Sequence, residues 1–212
     1  MIQLNGLKKR SKKLYENVLE EIKIMRDLKE LDCPFIIAMY GFNSSEIELQ
    51  VVMEYCGHGS LQHFLQEIKD NHKQIDDDDI KKLILQILIS LLPLRNMGIA
   101  HRDMKPDNLL INNGMLKLCD FGISKKFVDH LSTCGIGTPV FMAPESFQDE
   151  EAKGVQVDVW SVGIIAYYLF YGRFPFEGNP HMLPGIIIGG KYEFHAFRKI
   201  DSGLSDFINH CL

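Results

Sequence analysis

Three side chains that could hold a metal-bound phosphate or accept a proton stand close together in the middle of the sequence. Asp103 and Asn108 share one short polar segment, and Asp120 follows twelve positions after Asn108. Phosphoryl transfer needs a group that orients the attacking hydroxyl and metal ions that neutralise the phosphate charge. We interpret Asp103 as the base, Asn108 and Asp120 as Mg²⁺ ligands, and Lys105 as a positive charge on the phosphate. Mg²⁺ suits two such ligands, because it usually binds one or two protein oxygens together with substrate phosphates.

The segments that carry these residues resemble two motifs of eukaryotic protein kinases. His101-Arg102-Asp103-Met104-Lys105-Pro106-Asp107-Asn108 is similar to the catalytic loop, and Asp120-Phe121-Gly122 to the D-F-G motif. The resemblance covers the whole chain and implies an α+β, two-lobed kinase fold. Residues 1–55 would form a partial N-terminal lobe with an antiparallel sheet, and residues 56–212 a mainly helical C-terminal lobe. It also implies ATP and Mg²⁺ as cofactors and protein substrates as partners.

Composition and charge are those of an ordinary globular protein of 212 residues, with 46% hydrophobic and 24% charged residues. A net charge of -5 argues against nonspecific nucleic-acid binding. The five scattered cysteines form no C-x-x-C pair, which favours a reducing, cytoplasmic setting over disulfides or zinc. The apolar runs at 83–94 and 162–171 are too short to span a bilayer. The basic run at 8–13 leaves nuclear targeting open but favours a solvated face.

A long amphipathic helix is predicted from about residue 12 to residue 31. Apolar residues recur along it at intervals of three and four, the period of a helix packed on one side: Leu14, Val18, Ile22, Met25 and Leu28. By resemblance, Glu21 on this helix is the glutamate that pairs with a strand lysine gripping the α- and β-phosphates of ATP. The alternative, a solvated helix glutamate, is not excluded by spacing alone.

Parts of the family pattern are expected to fall outside the chain. The strand lysine would stand just before Met1, with the Gly-rich phosphate loop further upstream, so the chain as written is expected to be weakly active or inactive. Gly57-His58-Gly59-Ser60 is predicted to link the lobes rather than to replace that loop. The family's last arginine would follow Leu212, leaving its partner Glu145 as a destabilising unpaired carboxylate.

The resemblance also assigns residues to the nucleotide pocket. Met53 would be the gatekeeper, and the backbones of Glu54 and Cys56 would hydrogen-bond adenine. Leu110 and Cys119 would line the pocket, although Cys119 also fits the role of a small buried hydrophobic side chain.

Local signals predict the remaining elements near the site. Strands are expected at 36–41 and 48–53 with a turn at 43–45. Ser60 is a suitable N-cap for a short helix. The acidic run 76–79 favours an N-cap and the positive end of the next helix over a calcium loop.

That next helix is predicted from about residue 78 to residue 97. Its buried side is expected to carry Leu83, Ile84, Ile87, Leu88, Leu91 and Leu92. Pro93 lies inside it, where an interior proline costs about 3 kcal/mol or kinks the helix.

Regulation is implied by Arg102 beside the base. A buried guanidinium there would need a compensating anion, which a phosphate on the activation segment 120–145 could supply. Ser132 and Thr133 are the candidate phosphoacceptors.

Two further motifs resemble parts of the kinase substrate site. In the segment 137–145, Thr138 would hydrogen-bond Asp103 and Lys105, and the segment together with Lys105 indicates Ser/Thr rather than Tyr specificity. Asp158 would cap the backbone of the catalytic loop, with a plain helix N-cap as the alternative.

The branch of the family and the activity are hypotheses. The segments 53–56 and 172–176, with Phe141, look like the calcium/calmodulin-dependent kinase kinase and liver-kinase-B branch, whose members phosphorylate activation loops of other kinases. A pseudokinase or interaction scaffold is the alternative if Met1 is the true start.

Overall fold

The computed structural model describes residues 2–3, 12–44, 48–121, 139–148 and 154–212. Its N-terminal part combines one long helix with a three-stranded antiparallel sheet, in which the strand Glu48–Met53 lies between Ile2–Gln3 and Met39–Ser44. The elements are β1 (Ile2–Gln3), α1 (Lys12–Glu30), β2 (Met39–Ser44) and β3 (Glu48–Met53). The long helix predicted from its apolar period is therefore confirmed. Ile22 and Met25 of α1 are buried with Ile37 and Met39 in a small apolar group, the N-lobe cluster.

The segment before β2 joins the two parts of the molecule instead of extending the sheet. The strand predicted at 36–41 was wrong at both ends, because β2 begins at Met39 and continues to Ser44. Ile37 donates its N–H to the Leu118 carbonyl at 3.0 Å, and Leu118 donates to the Phe35 carbonyl at 2.8 Å. These bonds attach residues 35–37 to the C-terminal part. Residues 43 and 44 of the turn predicted at 43–45 are the last two residues of β2. Residue 45 lies outside the described residues.

The C-terminal part is mainly helical, and together with the sheet it gives the predicted α+β architecture. Its elements are α2 (Leu61–Asp70), α3 (Asp77–Asn96), β4 (Leu109–Asn112), β5 (Met115–Leu118), α4 (Glu145–Gln148), α5 (Gln156–Tyr171), α6 (Leu183–Gly189) and α7 (Ser202–Cys211). No helix in the described ranges is both long and apolar enough to cross a membrane.

Side-chain caps begin the two helices that follow the link between the parts. Ser60 Oγ accepts the His63 N–H at 3.3 Å, so residues 57–60 lead into α2 as predicted. Asp76 Oδ1 accepts the Asp78 N–H at 2.9 Å, which makes Asp76 the N-cap of α3. Both caps satisfy backbone donors that the first turn of a helix leaves unpaired.

The buried face of α3 lies slightly off the predicted one. The fully buried positions are Ile80, Ile84, Ile87, Ser90 and Leu94. Leu83, Leu88 and Leu91 are partly buried at its edges, and Leu92 is 49% exposed, so the prediction for Leu92 was wrong. The helix continues past Pro93 to Asn96.

Helix α5 is the centre of the C-terminal core. Val162, Ile164, Ile165 and Ala166 are fully buried there. Gly163 allows α7 to approach, because a Cβ at this position would lie 2.5 Å from the Cβ of Cys211. The first turn of this rigid helix carries Asp158, which connects the core to the candidate site.

Candidate active site

The backbone of the loop 101–108 is anchored to α5 by Asp158. Its Oδ2 accepts the His101 N–H and its Oδ1 accepts the Arg102 N–H, both at 2.7 Å. The N-cap alternative for Asp158 was wrong, because α5 starts at Gln156 with Val155 at the cap position. Burial raises the pKa of Asp158, and the two backbone hydrogen bonds oppose that rise. Arg102 has a φ of 64°, a left-handed conformation that these bonds stabilise.

The His101 ring connects this loop to the segment that contains Asp120. Its Nδ1 accepts the Asp103 N–H at 3.3 Å, and its Nε2 lies 3.1 Å from the Cys119 carbonyl. The ring is therefore a neutral imidazole protonated at Nε2, and burial lowers its pKa in agreement with that state. Phe121 packs edge-on against the ring, with 5.5 Å between centroids.

Asp103, Lys105 and Asn108 form a compact polar group inside the loop. Lys105 Nζ lies 3.2 Å from Asp103 Oδ2, and the Asp103 side chain is 7% exposed. Asn108 Nδ2 donates to the Asp103 carbonyl at 2.8 Å, and Asn108 N–H donates to the Lys105 carbonyl at 3.0 Å. A short 3₁₀ turn from Pro106 to Asn108 produces this arrangement. A carboxylate, an ammonium group and an amide are thus fixed side by side.

Asp120 is brought to the same place by the backbone. Cys119 donates its N–H to the Asn108 carbonyl at 3.0 Å, so the residue before Asp120 is attached to the loop. Asp120 has a φ of 62° and an exposed side chain. Because Asn108 Nδ2 already donates to the Asp103 carbonyl, the amide oxygen is the atom left for a ligand.

These donors fit a hard divalent cation. Mg²⁺ prefers oxygen ligands and usually completes its shell with water and phosphates. No group of three or more His, Cys, Asp and Glu side chains suited to a metal occurs in the described residues. An ion here would therefore take Asn108, Asp120 and phosphate oxygens. When bound, it would neutralise the charge of the phosphate.

Glu21 faces the interior near Asp120. The residue is 6% exposed, and its Oε2 has no hydrogen-bond partner among the described residues. Burial and then the charge of Asp120 raise the pKa of Glu21 to about 8. The alternative of a solvated helix glutamate is therefore wrong. A buried carboxyl of this kind suits a cationic partner.

The opposite side of the site is apolar. Cys56, Leu110 and Cys119 are partly buried and pack against the N-lobe cluster. Burial, followed by the charge of Asp120, raises the pKa of Cys119 to about 12, so its thiol stays protonated and packs as a small hydrophobic group. The Glu54 N–H donates to the Ala38 carbonyl at 2.8 Å, and no hydrogen bond among the described residues uses the Glu54 carbonyl.

A sequence model of the family described as "Protein kinase domain" matches residues 3–212. The chain belongs to the protein kinase family. It is 35% identical over 176 residues to MAP kinase kinase skh1/pek1 of Schizosaccharomyces pombe, covering 81% of this chain and 47% of that protein. It is 34% identical over 163 residues to serine/threonine-protein kinase RUNKEL of Arabidopsis thaliana, covering 75% of this chain and 11% of that protein. This kinase chain thus spans less than half the length of each relative.

Several other residues that were predicted to belong to the site have a different exposure from the one expected, or lie outside the described residues. The guanidinium of Arg102 was expected to be buried, but Arg102 is exposed, because only its backbone N–H is directed at Asp158. Met53 pairs with Met39 across the sheet and is 43% exposed. Glu145 is half-buried at the start of α4 and makes no ion pair within the described ranges. The predicted phosphoacceptors and substrate threonine, Ser132, Thr133 and Thr138, lie outside those ranges.

Two polar residues beside the predicted nucleotide pocket, Lys117 and Asn112, were not predicted from the sequence. Lys117 Nζ lies 3.0 Å from Glu54 Oε2, and Asn112 Nδ2 donates to Glu54 Oε1 at 2.9 Å. A lysine between the buried Leu116 and Leu118 was the available signal, because a charged side chain in an apolar strand is unusual without a partner.

Replacing Glu21 with glutamine is expected to stabilise the kinase domain increasingly as the pH rises. Folding raises the pKa of Glu21 from 4.5 to about 8. The unfolded state therefore binds fewer protons than the folded state between these values. The stability from the protonated carboxyl is complete below pH 4.5 and is lost as the pH rises through about 8. Urea unfolding of Glu21→Gln and wild type at several pH values measures the widening difference.

The exposed helix residue Glu67 provides the matched control for this measurement. Its replacement by glutamine should leave the free energy of unfolding close to that of wild type, because an exposed carboxylate contributes little. A difference for Glu21→Gln that stays constant from pH 5 to pH 8 would contradict the assignment of a buried, protonated Glu21.

Proposed function

We propose that this domain transfers the γ-phosphate of ATP to Ser or Thr hydroxyls of protein substrates, using Mg²⁺. The observation that carries the proposal is the convergence of Asp103, Lys105, Asn108 and Asp120, joined by the bonds from Asn108 to the Asp103 carbonyl and from Cys119 to the Asn108 carbonyl. These groups cover the needs of phosphoryl transfer, which depends on positioning and on charge neutralisation.

Each of these residues then has a distinct part. Asp103 orients the substrate hydroxyl and accepts its proton. Lys105, 3.2 Å from Asp103, lies where it can hold the transferred phosphate close to that hydroxyl. Asn108 and Asp120 supply oxygens for the metal. The apolar side chains of Leu110 and Cys119 fit the adenine ring, and Thr138 would contribute to binding the protein substrate.

The substrates we propose are other protein kinases, phosphorylated on their activation loops. One relative is by name a MAP kinase kinase, a protein that acts on kinases. The sequence features of the calcium/calmodulin-dependent kinase kinase and liver-kinase-B branch agree with that substrate class. Membership of this particular branch stays a prediction, as do cytoplasmic localisation and regulation through Ser132 and Thr133.

A second candidate is an interaction scaffold with little catalysis. It is favoured by the Oε2 atom of Glu21, which is buried and has no hydrogen-bond partner among the described residues. Without a lysine paired with Glu21, the α- and β-phosphates of ATP would lack one positively charged contact. Loss of such an electrostatic group costs several kcal/mol of transition-state stabilisation.

The two candidates are separated by measuring phosphate transfer from γ-labelled ATP with Mg²⁺. The assay uses the chain, and the chain extended by any in-frame residues that its gene encodes upstream, with activation-loop peptides that differ only in carrying Ser, Thr or Tyr. The kinase proposal predicts Mg²⁺-dependent transfer by the extended chain to Ser and Thr above Tyr. The scaffold proposal predicts no transfer by either chain.

Replacing Lys105 with methionine is expected to lower kcat for phosphate transfer about 10²- to 10³-fold, because a charge that stabilises the transition state is lost. The matched control is Lys82→Met, since Lys82 forms an exposed ion pair with Asp79 at 2.8 Å in α3. The control should change kcat by less than about twofold. Equal kcat values for the two variants would show that Lys105 does not take part in phosphate transfer.

A further inference from the structure

The carboxylate of Glu54 is the centre of a polar network beside the hinge, the segment 54–56 that follows β3. Its Oε2 lies 3.0 Å from Lys117 Nζ and accepts the Ala38 N–H at 3.3 Å, while its Oε1 accepts Asn112 Nδ2 at 2.9 Å. The side chains of Lys117 and Glu54 are only 11% and 13% exposed. The Glu54 N–H also donates to the Ala38 carbonyl at 2.8 Å. The network therefore ties the hinge to the segment before β2 and to the β4–β5 hairpin.

The register of the hairpin explains why these groups meet. Lys117 of β5 stands opposite Leu110 of β4, and Asn112 stands opposite Met115. Directly opposed residues, and residues two apart on one strand, share a face. Leu110, Asn112 and Lys117 therefore lie on the same face of the hairpin. Leu110 and Cys56 both pack against the N-lobe cluster, so this face both anchors Glu54 and adjoins the apolar wall of the nucleotide site.

The charges in the network are balanced. Burial by itself would raise the pKa of Glu54, but hydrogen bonds from Asn112, Lys117 and Ala38 and the charge of Lys117 bring it below its usual value. Glu54 and Lys117 thus form an ionised pair with little access to water. Such a pair adds little net stability, because desolvation offsets the attraction, while loss of one partner leaves an uncompensated charge. Its main consequence is a fixed geometry.

The fixed position of Glu54 determines where the backbone groups of the hinge lie. Tyr55, the middle residue of the hinge, is 86% exposed, so its side chain does not fix the segment. The position of the hinge therefore depends on Glu54 and on the packing of Cys56. Within the described residues, no hydrogen bond uses the Glu54 carbonyl or the Cys56 N–H. Both are available to the edge of a base.

We propose that Lys117, together with Asn112, is a positioning residue for adenine recognition. By fixing Glu54, it keeps the Glu54 carbonyl and the Cys56 N–H at the spacing that the edge of adenine requires. This inference rests on the proposed nucleotide-binding function. Hydrogen-bonding sites reject analogues only when the donor and acceptor groups of the site are correctly placed. Selection of adenine over guanine would therefore depend on a lysine that does not contact the base.

The experiment measures the Kd of ADP and of GDP, with Mg²⁺, by calorimetry on the wild type, Lys117→Met, Lys117→Arg and the exposed control Lys82→Met. Wild type should prefer ADP. Lys117→Met keeps the length of the side chain but loses its charge. It should raise the Kd of ADP about tenfold and the Kd of GDP much less, so the preference for ADP over GDP becomes smaller. Lys117→Arg should restore most of the preference, and Lys82→Met should match wild type. Asn112→Ala removes one hydrogen bond and should raise the Kd of ADP about threefold. It replaces Lys117→Met in the test if that variant does not fold.

The outcomes separate this inference from the proposed function. If wild type binds neither nucleotide, the proposed function fails and the inference fails with it. If wild type binds ADP and Lys117→Met, or Asn112→Ala in its place, binds it within twofold of wild type, only the inference is overturned. Equal weakening of ADP and GDP, accompanied by a lower Tm, would also overturn it, because Lys117 would then have a structural role alone.

Discussion

Replacing Asp103 with asparagine is expected to reduce phosphate transfer to Ser and Thr peptides about 10²- to 10⁴-fold, the usual contribution of a general base. Asparagine has nearly the same shape but cannot accept the hydroxyl proton. The backbone carbonyl of residue 103, which binds Asn108 Nδ2 at 2.8 Å, is unchanged, so the position of the metal ligand should be retained. The Kd of ADP should therefore stay within about threefold of wild type. Single-turnover kinetics and calorimetry on the extended chain measure the two quantities.

The control for this experiment is Asp79→Asn, because Asp79 lies on the exposed face of α3 and pairs with Lys82. It should leave transfer and ADP binding unchanged. Equal transfer by Asp103→Asn and wild type would reject Asp103 as the base. A large loss of ADP binding would show instead that the substitution disturbs the whole loop.

Replacing Asp158 with alanine is expected to destabilise the domain by about 2–5 kcal/mol, because one buried and one partly buried N–H group lose their carboxylate acceptor. The affected donors are the N–H groups of His101 and Arg102, each 2.7 Å from the carboxylate. Since these bonds define the loop that carries Asp103, transfer activity should also fall in the fraction that stays folded. Urea unfolding gives the stability, and assays below the unfolding transition give the activity.

Asp201→Ala is the matched control for that change. Asp201 also accepts a backbone N–H, from Leu204 at 3.0 Å, but it does so locally as the N-cap of α7. Its loss should cost about 1 kcal/mol without affecting transfer. If Asp158→Ala and Asp201→Ala had the same effect on both stability and activity, Asp158 would contribute no more than a local hydrogen bond and would not be the anchor of the loop.

The features that could be predicted from the sequence depend on local pattern or on unusual residue types. The apolar period of residues 12–31 predicted α1 almost to its ends, and the caps Ser60 and Asp76 were visible as polar residues before apolar runs. The polar segment at 101–108 was distinctive because so many chemically active groups are adjacent in it. Neither kind of feature requires knowledge of distant contacts.

The features that were missed depend on contacts between distant parts of the chain. The strand predicted at 36–41 was placed three residues too early at its start, because Ile37 pairs with Leu118 of the hairpin, a partner that periodicity cannot reveal. The network around Glu54 was missed for the same reason. Arg102 was expected to be buried because it adjoins Asp103, but neighbours in an irregular loop point in different directions, and here only the backbone of Arg102 is directed inward.

Asn108 and Asp120 are proposed to hold a metal ion beside Asp103. The most direct test is a crystal structure of the domain with ADP and Mg²⁺. We expect the Asn108 amide oxygen and an Asp120 carboxylate oxygen each at about 2.1 Å from the ion, with phosphate oxygens completing its shell and ADP against Leu110 and Cys119. An ion bound by neither residue, or ADP bound away from the hinge, would contradict the proposed metal and nucleotide sites.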